Sequence, residues 1–385
     1  MRGPLELLFW ICLCVGLYPF AGYPLCVALL KALRPRPLRT GPFTPTVTVV
    51  ISAHNEASQI AATVRNKLTQ DYPAALLDVM VVSDASSDGT DEVMKRLAAD
   101  EPRVSFLRQE PRSGKTAALN GLLERARGEI VVFSDANSMY RADAVRHLVA
   151  AFADPEVGYA SGRMLYVDPS GSLVGDGCTG YMRYENRLRA YESAVGSVVG
   201  ADGGIDAVRR SLYRPMRADQ LPDFVLPLDI VEQGYRAVYV PEAVLEEETL
   251  NTEAAEFRMR VRVALRAYWA LLDKRALLNP LRFPQFSWQL ASHKLLRYMS
   301  FVPLALAAVI NWLLLPDGWI YTMLAAAQYS GALLAFLAEY GPRRLRTLAP
   351  ARYCYYFLLL NCASAVAFAR FMRGDKQVLW QPRTG

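Results

Sequence analysis

At 385 residues the chain has room for one large or two modest domains, but 52% apolar residues are more than a fully soluble protein carries. The net charge of +6 is modest, and much of it flanks apolar stretches (Arg34, Arg36, Arg39; Arg343, Arg344, Arg346), which reads as the cytosolic ends of membrane spans and excludes a nucleic-acid face. Five of the six cysteines (Cys12, Cys14, Cys26, Cys354, Cys362) lie in apolar stretches and only Cys178 in the polar body, so neither a zinc site nor a disulfide framework is indicated.

The first element is an apolar stretch over residues 5 to 31, long enough to cross a bilayer with tilt. It exceeds the apolar core of a signal peptide, and the basic RPRPLR follows it where a cleavage site would need small residues, so it predicts a retained anchor. From Thr46 short β-branched runs alternate with helical patterns, which predicts βα units on a mainly parallel sheet. The expected strands are 47–52, 79–83, 104–108 and 130–134; the expected helices are 56–69, 90–99 and 115–127, with Thr90 as a helix cap. Between 157 and 250 the signals are mixed, with GYASGRMLYV and YRAVYV as further strand candidates. The stretch after 253 sets Phe257, Val261, Ala264, Leu265, Tyr268 and Leu272 at helical spacing, with Arg258, Arg262 and Arg266 on a separate stripe. Such a basic amphipathic helix fits the headgroup layer. Three more spans are expected at about 299–315, 319–338 and 351–371. Four spans around a cytosolic body place both termini outside, whereas the basic tail (Arg370, Arg373, Lys376, Arg383) argues for inside.

Four polar clusters follow the expected strands, where open α/β sheets bind ligands: SAHNE (52–56), SDASSDGT (83–90), SGKTAALNGLL (113–123) and SDANS (134–138). Each alone is weak, since aspartates in an S-S-D-G-T run are commonly turn and capping residues. Together they supply a carboxylate for a base N–H, a lysine for a diphosphate and a carboxylate for a divalent cation.

In this order, ISAHNE, VVSDASSDGT, GKTAALN and FSDAN resemble family-2 glycosyltransferases of the GT-A fold, specifically their membrane-embedded branch, from YPFAGYPL to the closing VLWQP. The resemblance implies an α/β, GT-A nucleotide-sugar-binding domain with an N-terminal and about three C-terminal transmembrane helices. Its expected division is a 1–40 anchor and basic linker, a 41–252 catalytic domain, 253–298 interfacial helices and a 299–385 membrane region. It implies an inverting, metal-dependent transferase at the inner (plasma) membrane, with the catalytic domain in the cytoplasm. The donor would be a UDP-sugar carrying a hexose or N-acetylhexosamine, and the acceptor a polysaccharide (glycan) or a lipid-linked acceptor. Membrane lipids are the other partners. His54, Asn55, Glu56 and Asp84 would line the nucleotide, Asp84 on the uracil, and Lys115 the diphosphate. Asp135 would be the first residue of the metal-binding D-x-D motif for Mg²⁺ or Mn²⁺, with Asn137, a departure, at the third position. VGADGGIDAVRRSLY (199–213) resembles the acceptor loop, which gives acceptor roles to Asp202 and Gly203. The catalytic base would be Asp223, with Asp229 as competitor. The Q-x-x-R-W motif of long-chain synthases survives only as Arg262, which would serve the diphosphate or lipid headgroups. Single-sugar transfer to a lipid and a catalytically silent nucleotide sensor are the alternatives; a transporter is disfavoured by the scarcity of charges in the spans.

Overall fold

The computed structural model describes residues 2–167, 173–248, 253–342, 344 and 348–379. They form two compact units: residues 30–167, 182–248 and 376–379 make one, and residues 2–29, 173–181, 253–342, 344 and 348–375 the other.

The N-terminal apolar stretch is not one straight span. Helices α1 (Arg2–Leu17) and α2 (Gly22–Leu33) meet at 60°. Pro19 lies in the break, where it cannot continue a helix and restricts the residue before it.

In the first unit, with only the part of α7 from residue 182 on, the chain runs β1 (Val47–Ala53), α3 (Ile60–Leu68), β2 (Leu77–Asp84), α4 (Thr90–Asp100), β3 (Val104–Gln109), α5 (Lys115–Leu123), β4 (Ile130–Asp135), β5 (Met139–Tyr140), α6 (Ala144–Ala150), β6 (Val157–Val167), α7 (Leu173–Ser193), β7 (Asp206–Arg209), α8 (Pro222–Glu232) and β8 (Arg236–Glu248). The described strands order as β3-β2-β1-β4-β7-β6-β8-β5. β3, β2, β1 and β4 are parallel; β7 is antiparallel to both β4 and β6, β6 is parallel to β8, and β5 closes antiparallel to β8. Every residue of β1 is buried, as a central strand covered on both faces requires. This is the mostly parallel GT-A-like sheet.

Several helix ends differ from the sequence expectation. α3 starts at Ile60, four residues late: Asn55 is in the left-handed region at φ 56°, and the backbone N–H groups of Asn55, Glu56 and Ala57 bond across to Ser86, Thr90 and Asp88. Thr90 is the first helical residue of α4, not its cap; Asp88 Oδ1 accepts its N–H at 3.1 Å. α5 ends at Leu123.

In the second unit, α9 (Glu253–Asp273) is followed by α10 (Pro284–Leu290), a π-turn over Ala291–Leu295, α11 (Leu296–Met299), α12 (Phe301–Leu314), α13 (Trp319–Tyr340) and α14 (Ala349–Met372). α13 and α14 are long and apolar enough to cross a membrane, and the bent pairs α1–α2 and α10–α12 raise the candidate spans to four. The apolar stripe of α9 is not left for lipid: Val261, Ala264, Leu265 and Tyr268 are buried against Ala363 and Ala367 of α14. Its arginine stripe is not uniformly exposed either, because Arg266 is buried.

Candidate active site

The carboxyl ends of β2, β1 and β4 lie side by side, with Ala53 opposite Ser83 and Ser52 opposite Asp135, so His54, Asp84 and Asp135 emerge along one edge of the sheet. The first two clusters interlock there. His54 Nδ1 is 2.7 Å from the Asp84 carbonyl, and Asn55, in the left-handed region at φ 56°, accepts the Ser87 N–H on its side chain at 2.9 Å. Glu56, half-buried, bonds through its N–H to Thr90 Oγ1 at 2.9 Å.

Asp84 is fully buried, and its carboxylate accepts from Gln109 Nε2 (2.7 Å), the Ser113 N–H (2.8 Å) and the Gly114 N–H (2.9 Å). Three donors leave a carboxylate with little spare accepting capacity. In this structure Asp84 therefore anchors the 109–114 loop that leads into α5. The tail runs past that loop: Lys376 pairs with Asp219 at 2.7 Å, and the Val378 carbonyl would stand 3.0 Å from a Cβ at Gly114.

Lys115, the first residue of α5, forms an ion pair with Asp135 at the end of β4. Burial pulls its ammonium down, but Asp135, with Asp223 and Asp206 adding, outweighs burial and raises it above its ordinary value. The turn after Asp135 is held from beneath by α3. Thr63 Oγ1 donates to the Ala136 carbonyl (2.6 Å), Lys67 Nζ to the Ser138 carbonyl (2.5 Å) and Asn66 Nδ2 to the Tyr140 carbonyl (2.9 Å). Burial lowers the Lys67 ammonium well below its ordinary value. Asn137 sits half-buried on this turn.

The Gly203–Gly204 pair lies between two carboxylates. A Cβ at Gly203 would stand 3.2 Å from Asp223 Oδ2, and one at Gly204, where φ is +93°, 2.9 Å from Ser138 Oγ and 3.3 Å from Asp135 Oδ2. Backbone this close to both acids, and left-handed at 204, requires glycine. Tyr140 Oη lies 2.7 Å from both the Phe133 and the Gly204 carbonyls, its single hydrogen donated to one of them at a time, which ties the pair to β4. Asp223 stands in the first turn of α8, where the helix dipole favours a carboxylate, and its carbonyl accepts the Ala201 N–H at 3.2 Å. Asp229, buried on the same helix, faces a different neighbour, helping to raise the Tyr213 hydroxyl, whose main shift comes from burial. Asp202 is ion-paired to buried Arg189, with Nη2 to Oδ1 at 2.7 Å, so its carboxylate braces the loop against α7. Arg262 is half-buried on α9, in the second unit.

Sequence reasoning passed over Asp206. It is buried at the start of β7, accepts from Tyr159 Oη at 2.9 Å, and is pushed up to about 8, first by burial and, against the Tyr159 hydrogen bond, by Asp223. A buried acid opening a four-residue strand looks like a turn residue in sequence, and only its position in I-D-A-V after the glycines hinted otherwise. Lys67 was equally hidden, as one more lysine in a helix.

Among the described residues no group of three or more His, Cys, Asp or Glu side chains could hold a metal alone. Asp135 and Asn137 offer hard oxygen ligands on one turn, a partial set of the kind Mg²⁺ or Mn²⁺ completes with substrate phosphates and water. The residues fit such an ion.

The family described as glycosyl transferase family 2 matches residues 48–212. A beta-monoglucosyldiacylglycerol synthase from Trichormus variabilis is 26% identical over 238 residues, covering 60% of this chain and 50% of that protein. An N-acetylglucosaminyltransferase from Rhizobium meliloti is 29% identical over 254 residues, covering 60% and 58%. The chain thus spans about half the length of the curated relatives it matches. The mannosyltransferase PcManGT from Pyrobaculum calidifontis, solved with GDP-mannose and Mn²⁺, superimposes with a TM-score of 0.73 at 24% identity, covering 96% of this chain and 99% of that one.

Proposed function

We propose that this chain, whose residues 48–212 match the family described as glycosyl transferase family 2, moves a hexose or N-acetylhexosamine, with inversion, from a nucleotide sugar to a lipid or glycan acceptor at a membrane. The observation that carries the reading is the approach of Asp223 to one side of Gly203–Gly204 and of Asp135, paired with Lys115, to the other. The reading assigns the acceptor to the Asp223 side and the departing diphosphate to the Lys115–Asp135 pair.

In the proposed reaction Asp223 takes the proton from the acceptor hydroxyl as its oxygen bonds to the anomeric carbon, and the carbon–phosphate oxygen bond breaks on the opposite face. The bonding electrons leave on the nucleoside diphosphate. Lys115, kept charged chiefly by Asp135, with Asp223 adding, balances that growing negative charge. Asp135 and Asn137 would hold a Mg²⁺ or Mn²⁺, which when bound supplies further charge neutralisation at the phosphates. The interlocked 54–57 and 84–90 loops form the nucleotide floor, with Asp84 setting the position of the 109–114 loop. Contact of Asp84 with the base, and of Arg262 with diphosphate or headgroup, belongs to the same reading.

A UDP-linked donor follows from the sequence resemblance, and a membrane acceptor from the apolar helices and from relatives whose names include a diacylglycerol product. Arg34, Arg36 and Arg39 after α2 favour a cytosolic catalytic unit at the plasma membrane. The test is release of nucleoside diphosphate by the detergent-purified chain with Mg²⁺ or Mn²⁺ and a panel of UDP- and GDP-sugars, followed by mass analysis of the product. Release from no donor above an Asp223→Asn control would instead favour the silent nucleotide sensor.

A further inference from the structure

Both bent helix pairs of the second unit break at one polar pocket. α1–α2 breaks across residues 18–21 and α10–α12 bends by 54° after a π-turn at 291–295. The breaks are tied together: Tyr18 Oη is 3.1 Å from Ser292 Oγ and accepts from Trp288 Nε1 at 2.9 Å, while the Tyr23 ring packs on Trp288 at 5.2 Å. Between them is a cavity of about 50 Å³ into which the second break contributes His293, Lys294 and Arg297, facing Asn361 and Ser364 of α14. A single water needs about 10–15 Å³ on this measure, so the space suits one tetrahedral oxyanion.

Three features give the pocket a ligand. In an apolar helical unit, irregular backbone is tolerated where it is buried in protein or lines a polar cavity, and π-turns commonly mark functional positions. The Arg297 guanidinium lies over two rings, Phe20 at 5.5 Å and Tyr181 at 5.2 Å, which orients its planar fork. None of the described side chains lining the cavity is acidic. The surroundings select the source of the anion, because α12 and α13 present Val309, Trp312, Leu313, Met323 and Phe336 outward, as lipid-facing helices do.

We propose that this pocket binds the phosphate of a membrane lipid, with Arg297 and Lys294 as its cations. The proposal stands whether or not the transfer reading does. The test is native mass spectrometry of the full chain in detergent, titrated with dioleoylphosphatidylglycerol, with dioleoylglycerol as the same tails without phosphate, and with inorganic phosphate. The phospholipid binds wild type about tenfold or more tighter than dioleoylglycerol. Arg297→Gln and Lys294→Gln each weaken it by about tenfold, Arg297→Lys restores part, and Arg373→Gln, an exposed cation at the end of α14, changes nothing. Ser364→Phe fills the space with both cations retained and also abolishes the preference, which decides the matter should Arg297→Gln not fold. Equal phospholipid binding by wild type and Ser364→Phe overturns the proposal. So does displacement of the phospholipid by millimolar inorganic phosphate, which would make this a free-phosphate site.

Discussion

Replacing Asp206 with asparagine removes a buried carboxyl pushed up to about 8, first by burial and then by the neighbouring Asp223 and Asp135. An aspartate in the unfolded chain titrates near pH ~4. Between about pH 4 and pH 8 the native state therefore keeps a proton that the unfolded state has released. This contribution is fully present below about pH 4 and is lost as pH rises through about 8. The interval is worth on the order of 5 kcal/mol at about 1.4 kcal/mol per pH unit, a ceiling that water and movement of Lys115 reduce to about 2–5 kcal/mol. Asparagine carries no titrating proton and can still accept from Tyr159, so the variant should lose this slope. From pH 5 upward about three of those pH units are crossed, and at about 1–2 °C per kcal/mol for a chain of 385 residues the melting temperature of wild type should drop about 2–8 °C more than that of Asp206→Asn between pH 5 and 9. Thermal unfolding followed by intrinsic fluorescence, in detergent with EDTA, measures it. Parallel pH curves for the two proteins would refute the argument.

Gly203→Ala and Gly204→Ala should fail differently. The first presses on Asp223 and should lower turnover with little change in donor KM. The second presses on Asp135, should raise donor KM, and should cost about 1–3 kcal/mol of stability from its left-handed backbone, all measurable by steady-state kinetics and thermal unfolding. Asp202→Asn should destabilise the chain by about 1–3 kcal/mol in denaturant unfolding, because buried Arg189 exchanges a close carboxylate for an amide and keeps only the longer ion pair to Glu185 at 3.9 Å. Lys67→Met should cost about 1–3 kcal/mol by leaving the Ser138 carbonyl short of a donor, and should raise donor KM through the loosened 135–140 turn.

The parallel half of the sheet was legible because VTVVIS, VMVVS, VSFLR and IVVFS are β-branched runs separated by helical patterns, and buried parallel strands require such runs. α7 was not legible: Gly175, Gly177 and Gly180 interrupt its first half, and glycine argues against helix by propensity. The bend at Pro19 was visible as a residue but hidden by the unbroken apolarity around it. At the site, Asp84, Lys115 and Asp135 were readable because they sit in motifs at strand ends. Asp206, Lys67 and Tyr140 act through burial and cross-chain contacts at separations of 47 to 74 residues. Nothing local in the sequence records such contacts. The three donors to the Asp84 carboxylate were invisible for the same reason, since they come from the end of β3 and from a following turn that sequence leaves unplaced.

The central claim is that Asp223 is the base and Asp135 belongs to the donor side. Steady-state release of nucleoside diphosphate by Asp223→Asn, with Asp229→Asn alongside, tests it most directly. The account predicts a fall in kcat of about 10²–10⁴-fold for Asp223→Asn with donor KM nearly unchanged, and a far smaller effect on kcat for Asp229→Asn. Full turnover by Asp223→Asn, or loss of turnover in Asp229→Asn alone, would contradict it.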